Sequence, residues 1–285
     1  MGLRGARPSK ACVLIFSDFQ SLTGFGTTLS MRIKILGCSG GVGPGLRTTS
    51  LLIDDELLID AGTGVGDLAL SQMRRIQHVV LTHAHLDHVC GLAFMADNLF
   101  DLIDSPIQVH AAEPTLKAVQ DHIFNWKIWP DFSKLPTPEN PLIRWQQMAT
   151  NTRLDIGGGR TVHSFEVLHT VPAVGLAVEC KTGTFAFSGD TYATDKLWDA
   201  LNALGRLDML MIEIAFPDEE EELAAVSKHF TPVLLGRELA KLRHRPQLLL
   251  THHKPGTEGL IQKQCVKALA GWDYHHLEAG EIFML

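Results

Sequence analysis

Apolar residues along this chain fall in short runs, most of them ending at a polar or turn-forming residue. From Met31, the stretch Arg32-Ile33-Lys34-Ile35-Leu36 alternates with the period of a half-buried strand. Further strands are expected at residues 50–53, 57–60, 76–81, 106–110, 161–168, 207–213 and 247–250, and at the C-terminal 281–285. Residues 176–179 and 184–187 read as a hairpin through Lys181-Thr182-Gly183. Helical patterns fit residues 66–73, 91–100 and 113–124, the last with Pro114 in its first turn, and recur between the later strands. Two series of strands with helices between or after them define an α/β chain, with two sheets packed face to face and helices outside.

Three stretches break the pattern. Residues 37–45 are turn-rich and carry five glycines among nine residues. They lack a Walker lysine and the spacing of a dinucleotide fingerprint, so they read as a turn bordering a site. Residues 125–142 hold Trp126, Trp129 and four prolines and read as an irregular loop, whose aromatics serve as buried anchors or as a cover for a flat ligand. Residues 1–30 read as an extension, basic at first and with an apolar piece too short for a good signal peptide; the catalytic domain is expected over 31–285.

Composition narrows the class. The 285 residues are 45% hydrophobic and 20% charged, as in ordinary globular proteins, and the formal charge is −7. That charge disfavours nucleic acid as the main partner. No run is apolar enough for a membrane span. The five widely spaced cysteines contain no Cys-x-x-Cys and read as free thiols of a cytoplasmic protein. Cys90, two residues after a histidine cluster, reads as a small residue at a helix start.

The chemistry concentrates in Thr82-His83-Ala84-His85-Leu86-Asp87-His88. Four metal-capable side chains in six positions follow directly on an apolar strand. A strand end is where a rigid element presents side chains to a cleft. Alternation sends His83 and His85 the same way, with Asp87 and His88 following into a turn. Imidazole and carboxylate suit zinc, with iron or manganese as alternatives. Single polar residues recur after other apolar strands at Asp60, His169, Asp190 and His252.

The run resembles that of the metallo-β-lactamase superfamily, whose four-layer αββα sandwich is then the expected fold over 31–285. The resemblance implies two divalent metal ions. One is held by His83, His85 and His169, the other by Asp87, His88 and His252, with Asp190 bridging them. It makes Asp60 a support for the ligand loop. His252 is preferred over His253 as the last ligand because it directly follows Thr251 at the strand end.

Finer matches are similar to class II 3′,5′-cyclic-nucleotide phosphodiesterases. They are His83–Leu92, His122-Ile123-Phe124-Asn125, Ile128-Trp129-Pro130-Asp131-Phe132, Glu213-Ile214-Ala215-Phe216-Pro217, Lys228-His229-Phe230-Thr231-Pro232 and Thr251-His252-His253-Lys254-Pro255. The class motif continues with a Ser and a small residue where this chain has Phe94-Met95-Ala96-Asp97. Asp87, Glu213 and His229 are the expected catalytic residues; Glu213 and His229 are similar to a proton-handling Glu and His of the related tRNA 3′-processing endonucleases, which implies Glu213 orienting His229 as proton donor. The implied function is hydrolysis of a cyclic nucleotide, cyclic AMP foremost, to the 5′-monophosphate. A homodimer is implied by analogy. The alternatives are a tRNA 3′-end endonuclease, a hydrolase acting on lactones or thioesters, or a non-hydrolytic di-iron sensor.

Overall fold

The computed structural model describes residues 30–285, so the expected N-terminal extension lies almost wholly outside the described residues. The first sheet contains β1 (Arg32–Gly37), β2 (Ser50–Ile53), β3 (Leu57–Ile59), β4 (His78–Val80), β5 (Ile107–Ala111) and β6 (Ile143–Gln147). The second contains β7 (Arg153–Gly157), β8 (Arg160–Glu166), β9 (Val174–Glu179), β10 (Thr184–Phe187), β11 (Met209–Glu213), β12 (Gln247–Thr251) and β13 (Tyr274–His276). The chain returns to the first sheet with β14 (Ile282–Met284), which pairs antiparallel with β1. The orders are β14-β1-β2-β3-β4-β5-β6 and β13-β12-β11-β10-β9-β8-β7.

Both faces of the central strands are buried, which is why their sequences are continuously apolar rather than alternating. Odd and even residues of one strand enter different cores. Leu51 and Ile53 of β2, and Leu57 and Ile59 of β3, meet Leu176, Val178, Phe185 and Phe187 between the sheets. Leu52 and Leu58 face outward, onto Val89, Leu92 and Met95. The latter belong to α2 (Leu86–Leu99), which follows the short α1 (Leu70–Met73) and precedes α3 (Glu113–His122). On the far side, Ala186, Leu210, Ile212 and Leu250 pack against α4 (Asp195–Ala203), α6 (Pro232–Glu238) and α7 (Glu258–Ala268), and α5 (Glu221–Ser227) lies between α4 and α6 in the chain. Helix, sheet, sheet, helix is therefore the layer order, as expected. Arg160 of β8 ties the sheets together by pairing with Asp54 and Glu56 in the β2–β3 turn.

Several local expectations shift. The helix expected at 66–73 is a 3-10 turn over Thr63–Asp67 followed by the four-residue α1. Gly64 and Gly66 weaken a continuous helix there. The helix expected from Gly91 starts at Leu86, so Asp87 and His88 sit in its first turn rather than in an open turn. β6, β7 and β13 had no strand expectation. Among the described residues, no helix is long and apolar enough to cross a membrane. Cys38, Cys90, Cys180 and Cys265 are free thiols.

Candidate metal centre

The expected residues converge where strands of both sheets end. The first sheet supplies Asp60 after β3 and the run His83–His88, which leads from β4 into the first turn of α2. The second supplies His169 after β8, Asp190 after β10 and His252 after β12. Three overlapping groups could hold an ion: His83, His85, His169 and Asp190; Asp87, His88 and His252; and Asp190, His229 and His252. The first two are the expected pair. Asp190 joins them: its Oδ2 lies 3.8 Å from His83 Nε2, 4.0 Å from His169 Nε2, 3.4 Å from His88 Nε2 and 3.3 Å from His252 Nε2. Asp87 Oδ2 lies 3.9 Å from His88 Nε2 and 3.8 Å from His252 Nε2.

These residues fit divalent ions. His83 Nε2, His88 Nε2 and Asp190 Oδ1 are buried without a hydrogen-bond partner among the described residues. Orphaned buried donors and acceptors are costly, and metal ligation satisfies them. Zinc–nitrogen bonds of ~2.0–2.1 Å at tetrahedral angles separate donor atoms by about 3.3 Å. The closest ligand pair, His85 Nδ1 and His169 Nε2, stands 3.1 Å apart.

Hydrogen bonds fix which nitrogen of each ring faces the centre. His88 Nδ1 donates to Asp60 Oδ2 at 2.7 Å, leaving Nε2 for the cluster. Asp60 also accepts from the Thr82 backbone N–H and from Thr82 Oγ1, both at 2.8 Å. Because that hydroxyl donates to Asp60, it accepts from His83 Nδ1 at 3.0 Å, so Nε2 of His83 faces inward too. His169 Nδ1 donates to the Lys228 carbonyl at 3.2 Å. His252 Nδ1 lies 3.4 Å from Thr49 Oγ1. Such supports orient ligands and raise their basicity.

The backbone is shaped for this convergence. Asp60 and His252 both hold left-handed conformations, at φ 54° and 67°. The His252 N–H donates to the Cys38 carbonyl at 2.7 Å, and a side chain on Gly40 would collide with the His252 carbonyl. The 37–45 loop thus borders the site as a close-packed rim. His253 turns away, donating from Nδ1 to the Ile214 carbonyl at 2.7 Å and facing His276. Cys90 belongs to neither ligand group. Phe132 of the 125–142 loop is buried, and Trp129 packs on Phe94, whereas Trp126 is exposed.

Electrostatics mark the same place. Burial opposes the charge of Asp190, yet His252, His88 and His83 around it hold its carboxyl well below the usual range. Burial drives His83 and His252 well below the ordinary imidazole value, the neutral state a ligand needs. Burial disfavours the His88 cation, but Asp190 and Asp60 outweigh it and hold the ring's proton well above the usual range. His88 Nε2 would hold a divalent cation in place of that proton, the positive charge there being favoured by the same carboxylates.

Glu213 and His229 adjoin the cluster. Glu213 ends β11, fully buried, and its Oε1 accepts from His229 Nδ1 at 2.9 Å and from the Thr191 N–H at 3.1 Å. Burial raises the Glu213 carboxyl despite His229. Burial alone would lower His229, but Glu213 prevails and raises it. The His229 ring stacks on His252, with centroids 5.3 Å apart and planes 17° apart. Sequence reasoning passed over Thr82, Thr49 and Lys254. Each adjoins a ligand in the chain or the fold, but only tertiary contact gives it a role.

Residues 55–253 match the family described as the beta-lactamase superfamily domain. The chain belongs to this superfamily. It is also 26% identical over 271 residues to a probable 3′,5′-cyclic-nucleotide phosphodiesterase of Yersinia pestis, covering 81% of this chain and 76% of that protein. A 3′,5′-cyclic-nucleotide phosphodiesterase of Aliivibrio fischeri is 25% identical over 285 residues, covering 81% and 79%. The crystal structure of unliganded yeast PDE1 matches with a TM-score of 0.75 at 17% identity, over 90% of this chain and all of that one. Human short-form tRNase Z matches at 0.63 and 18% identity, over 88% and 98%. These two structural likenesses show the fold alone. Superfamily membership and the paired ligand groups together make the protein a metallohydrolase.

Proposed function

We propose that the protein hydrolyses 3′,5′-cyclic nucleotides, cyclic AMP foremost, to 5′-monophosphates. His83, His85 and His169 would hold one divalent ion and Asp87, His88 and His252 a second, with Asp190 shared; zinc suits these donors best. The observation that carries the reading is the buried Glu213–His229 pair stacked against His252. The ligand groups alone would serve many hydrolases. An added imidazole held by a carboxylate supplies the proton that a departing alkoxide requires. When bound, the ions supply Lewis acidity at phosphorus and lower the pKa of an attacking water.

The chain's own groups complete the reaction. Glu213 engages His229 at Nδ1, which leaves the Nε2 proton for transfer. As water's oxygen bonds to phosphorus and the P–O3′ bond breaks, His229 delivers that proton to the ribose 3′-oxygen. Asp60, through His88 and Thr82, keeps the ligand rings in register. The cyclic-nucleotide phosphodiesterases of Yersinia pestis and Aliivibrio fischeri support this choice of substrate. The test is an assay of metal-loaded protein with cyclic AMP and cyclic GMP, following the 5′-monophosphate by chromatography. No turnover of either, with turnover of a precursor tRNA or a lactone, would overturn it.

A further inference from the structure

Lys254 lies two residues beyond the ligand His252, on the rim of the centre. Its backbone N–H is anchored to the Ala215 carbonyl at 3.0 Å. Its Nζ donates to the Gly40 carbonyl at 2.8 Å and stands 3.5 Å from His252 Nε2. A side chain on Gly40 would press on the lysine's Cδ, so that glycine leaves room for the stem. No carboxylate pairs with Lys254 among the described residues.

A half-buried ammonium placed beside two divalent-ion sites is repelled by them. The rim loop gives it only a neutral carbonyl. Besides the Gly40 carbonyl its only neighbouring acceptor among the described residues is His252 Nε2, at 3.5 Å; with that nitrogen committed to an ion, two N–H donors would be left for the anion the centre would process. We propose that Lys254 is a substrate-binding residue that grips a non-bridging phosphoryl oxygen, selecting anionic phosphodiesters over neutral lactones and thioesters. This rests on the phosphodiesterase reading above. It assigns to the chain itself, rather than to the metal ions, part of the discrimination for phosphate.

The test uses the metal-loaded full chain with bis(p-nitrophenyl) phosphate as substrate and inorganic phosphate as competitor, so it does not depend on which natural substrate is correct. Lys254→Met should raise KM and the phosphate inhibition constant together, by ~10–100-fold, as expected for loss of a charge-assisted hydrogen bond. Any fall in kcat should be smaller than the rise in KM. Lys254→Arg should recover most of the phosphate affinity. Metal content by mass spectrometry should be unchanged in both variants. Unchanged KM and phosphate affinity in Lys254→Met would overturn the proposal. So would loss of metal, which would make the lysine a support of the His252 loop. Cyclic-nucleotide turnover by the unmodified protein is read separately, so its failure would not be confused with either outcome.

Discussion

Asp60 and His88 are both fully buried, and the His88 Nδ1 proton is held by Asp60 Oδ2 at 2.7 Å. The same carboxylate ties down both polar groups of Thr82, and through that hydroxyl the ring of His83. One residue therefore sets the tautomer of a candidate ligand in each of the two expected ligand groups. Asp60→Asn should break this while keeping the backbone, because asparagine tolerates the left-handed conformation at φ 54°. Its amide can still accept from the Thr82 N–H, but its NH2 then confronts the Nδ1–H of His88. The ring is driven toward the tautomer that protonates Nε2, which cannot ligate. Metal affinity should fall ~10–100-fold, measured by competition with a chromogenic chelator. Unchanged affinity would show that Asp60 does not orient His88.

The Glu213–His229 pair should reveal itself through the leaving group. His229→Gln should lower kcat for cyclic AMP by ~10²–10⁴-fold, the usual contribution of a general acid. With bis(p-nitrophenyl) phosphate the loss should be far smaller, since p-nitrophenolate departs without a proton. Glu213→Gln should act in the same direction and less strongly, because His229 remains but loses its ionic partner. Equal losses on both substrates, with metal retained, would assign the pair to positioning rather than proton transfer.

The candidate ligand run was legible in the sequence because its chemistry is local: four metal-capable side chains crowd into six positions at the end of an apolar strand, and the structure gathers them into groups that could hold an ion. The two-sheet sandwich was legible because β2, β3, β10 and β11 are buried on both faces and so read as unbroken apolar runs. The start of α2 was not. His85 caps it in extended conformation, and the candidate ligands Asp87 and His88 occupy helical positions that apolar periodicity would need to fill. β7 and β13 were hidden for the opposite reason. Arg153, Asp155, His275 and His276 belong to the outermost strands of the second sheet, where pairing needs backbone alone. Thr82 and Lys254 gain their roles from partners that only folding brings near.

Gly91 offers a test of how tightly the helix start is bound to the centre. The Ala61 N–H donates to the His88 carbonyl, and the Gly91 N–H donates to the Ala61 carbonyl, both at 2.7 Å. A side chain on Gly91 would collide with the Gly62 carbonyl. The first turn of α2 is thus pressed against the loop that carries Asp60. Gly91→Val should force them apart, costing ~1–3 kcal/mol in chemical denaturation from overpacking and lowering metal occupancy with it. Loss of stability with full metal occupancy would show that the ligands adjust independently of this contact.

His110 and His78 predict acid sensitivity away from the centre. His78 Nδ1 and His110 Nε2 lie 3.0 Å apart between β4 and β5. Burial and the neighbouring His78 push His110 down to about 4. Burial and Arg160 lower His78 against the pull of Glu56. The folded chain thus keeps these rings neutral at pH values where an unfolded histidine, near ~6.5, already binds a proton. Stability should be complete above about pH 6.5 and fall as the pH drops toward about 4, because the unfolded state holds more protons across that window. His169 and His276, also lowered to about 4, act in the same sense and persist in a His110 variant. His110→Gln retains a hydrogen-bonding group toward His78 but cannot titrate. Its melting temperature should be lower at neutral pH, yet decline less steeply with acid than that of the unaltered protein. Thermal unfolding of both proteins, measured with the same metal loading across this pH range, checks it; parallel curves would remove the pair from the acid response.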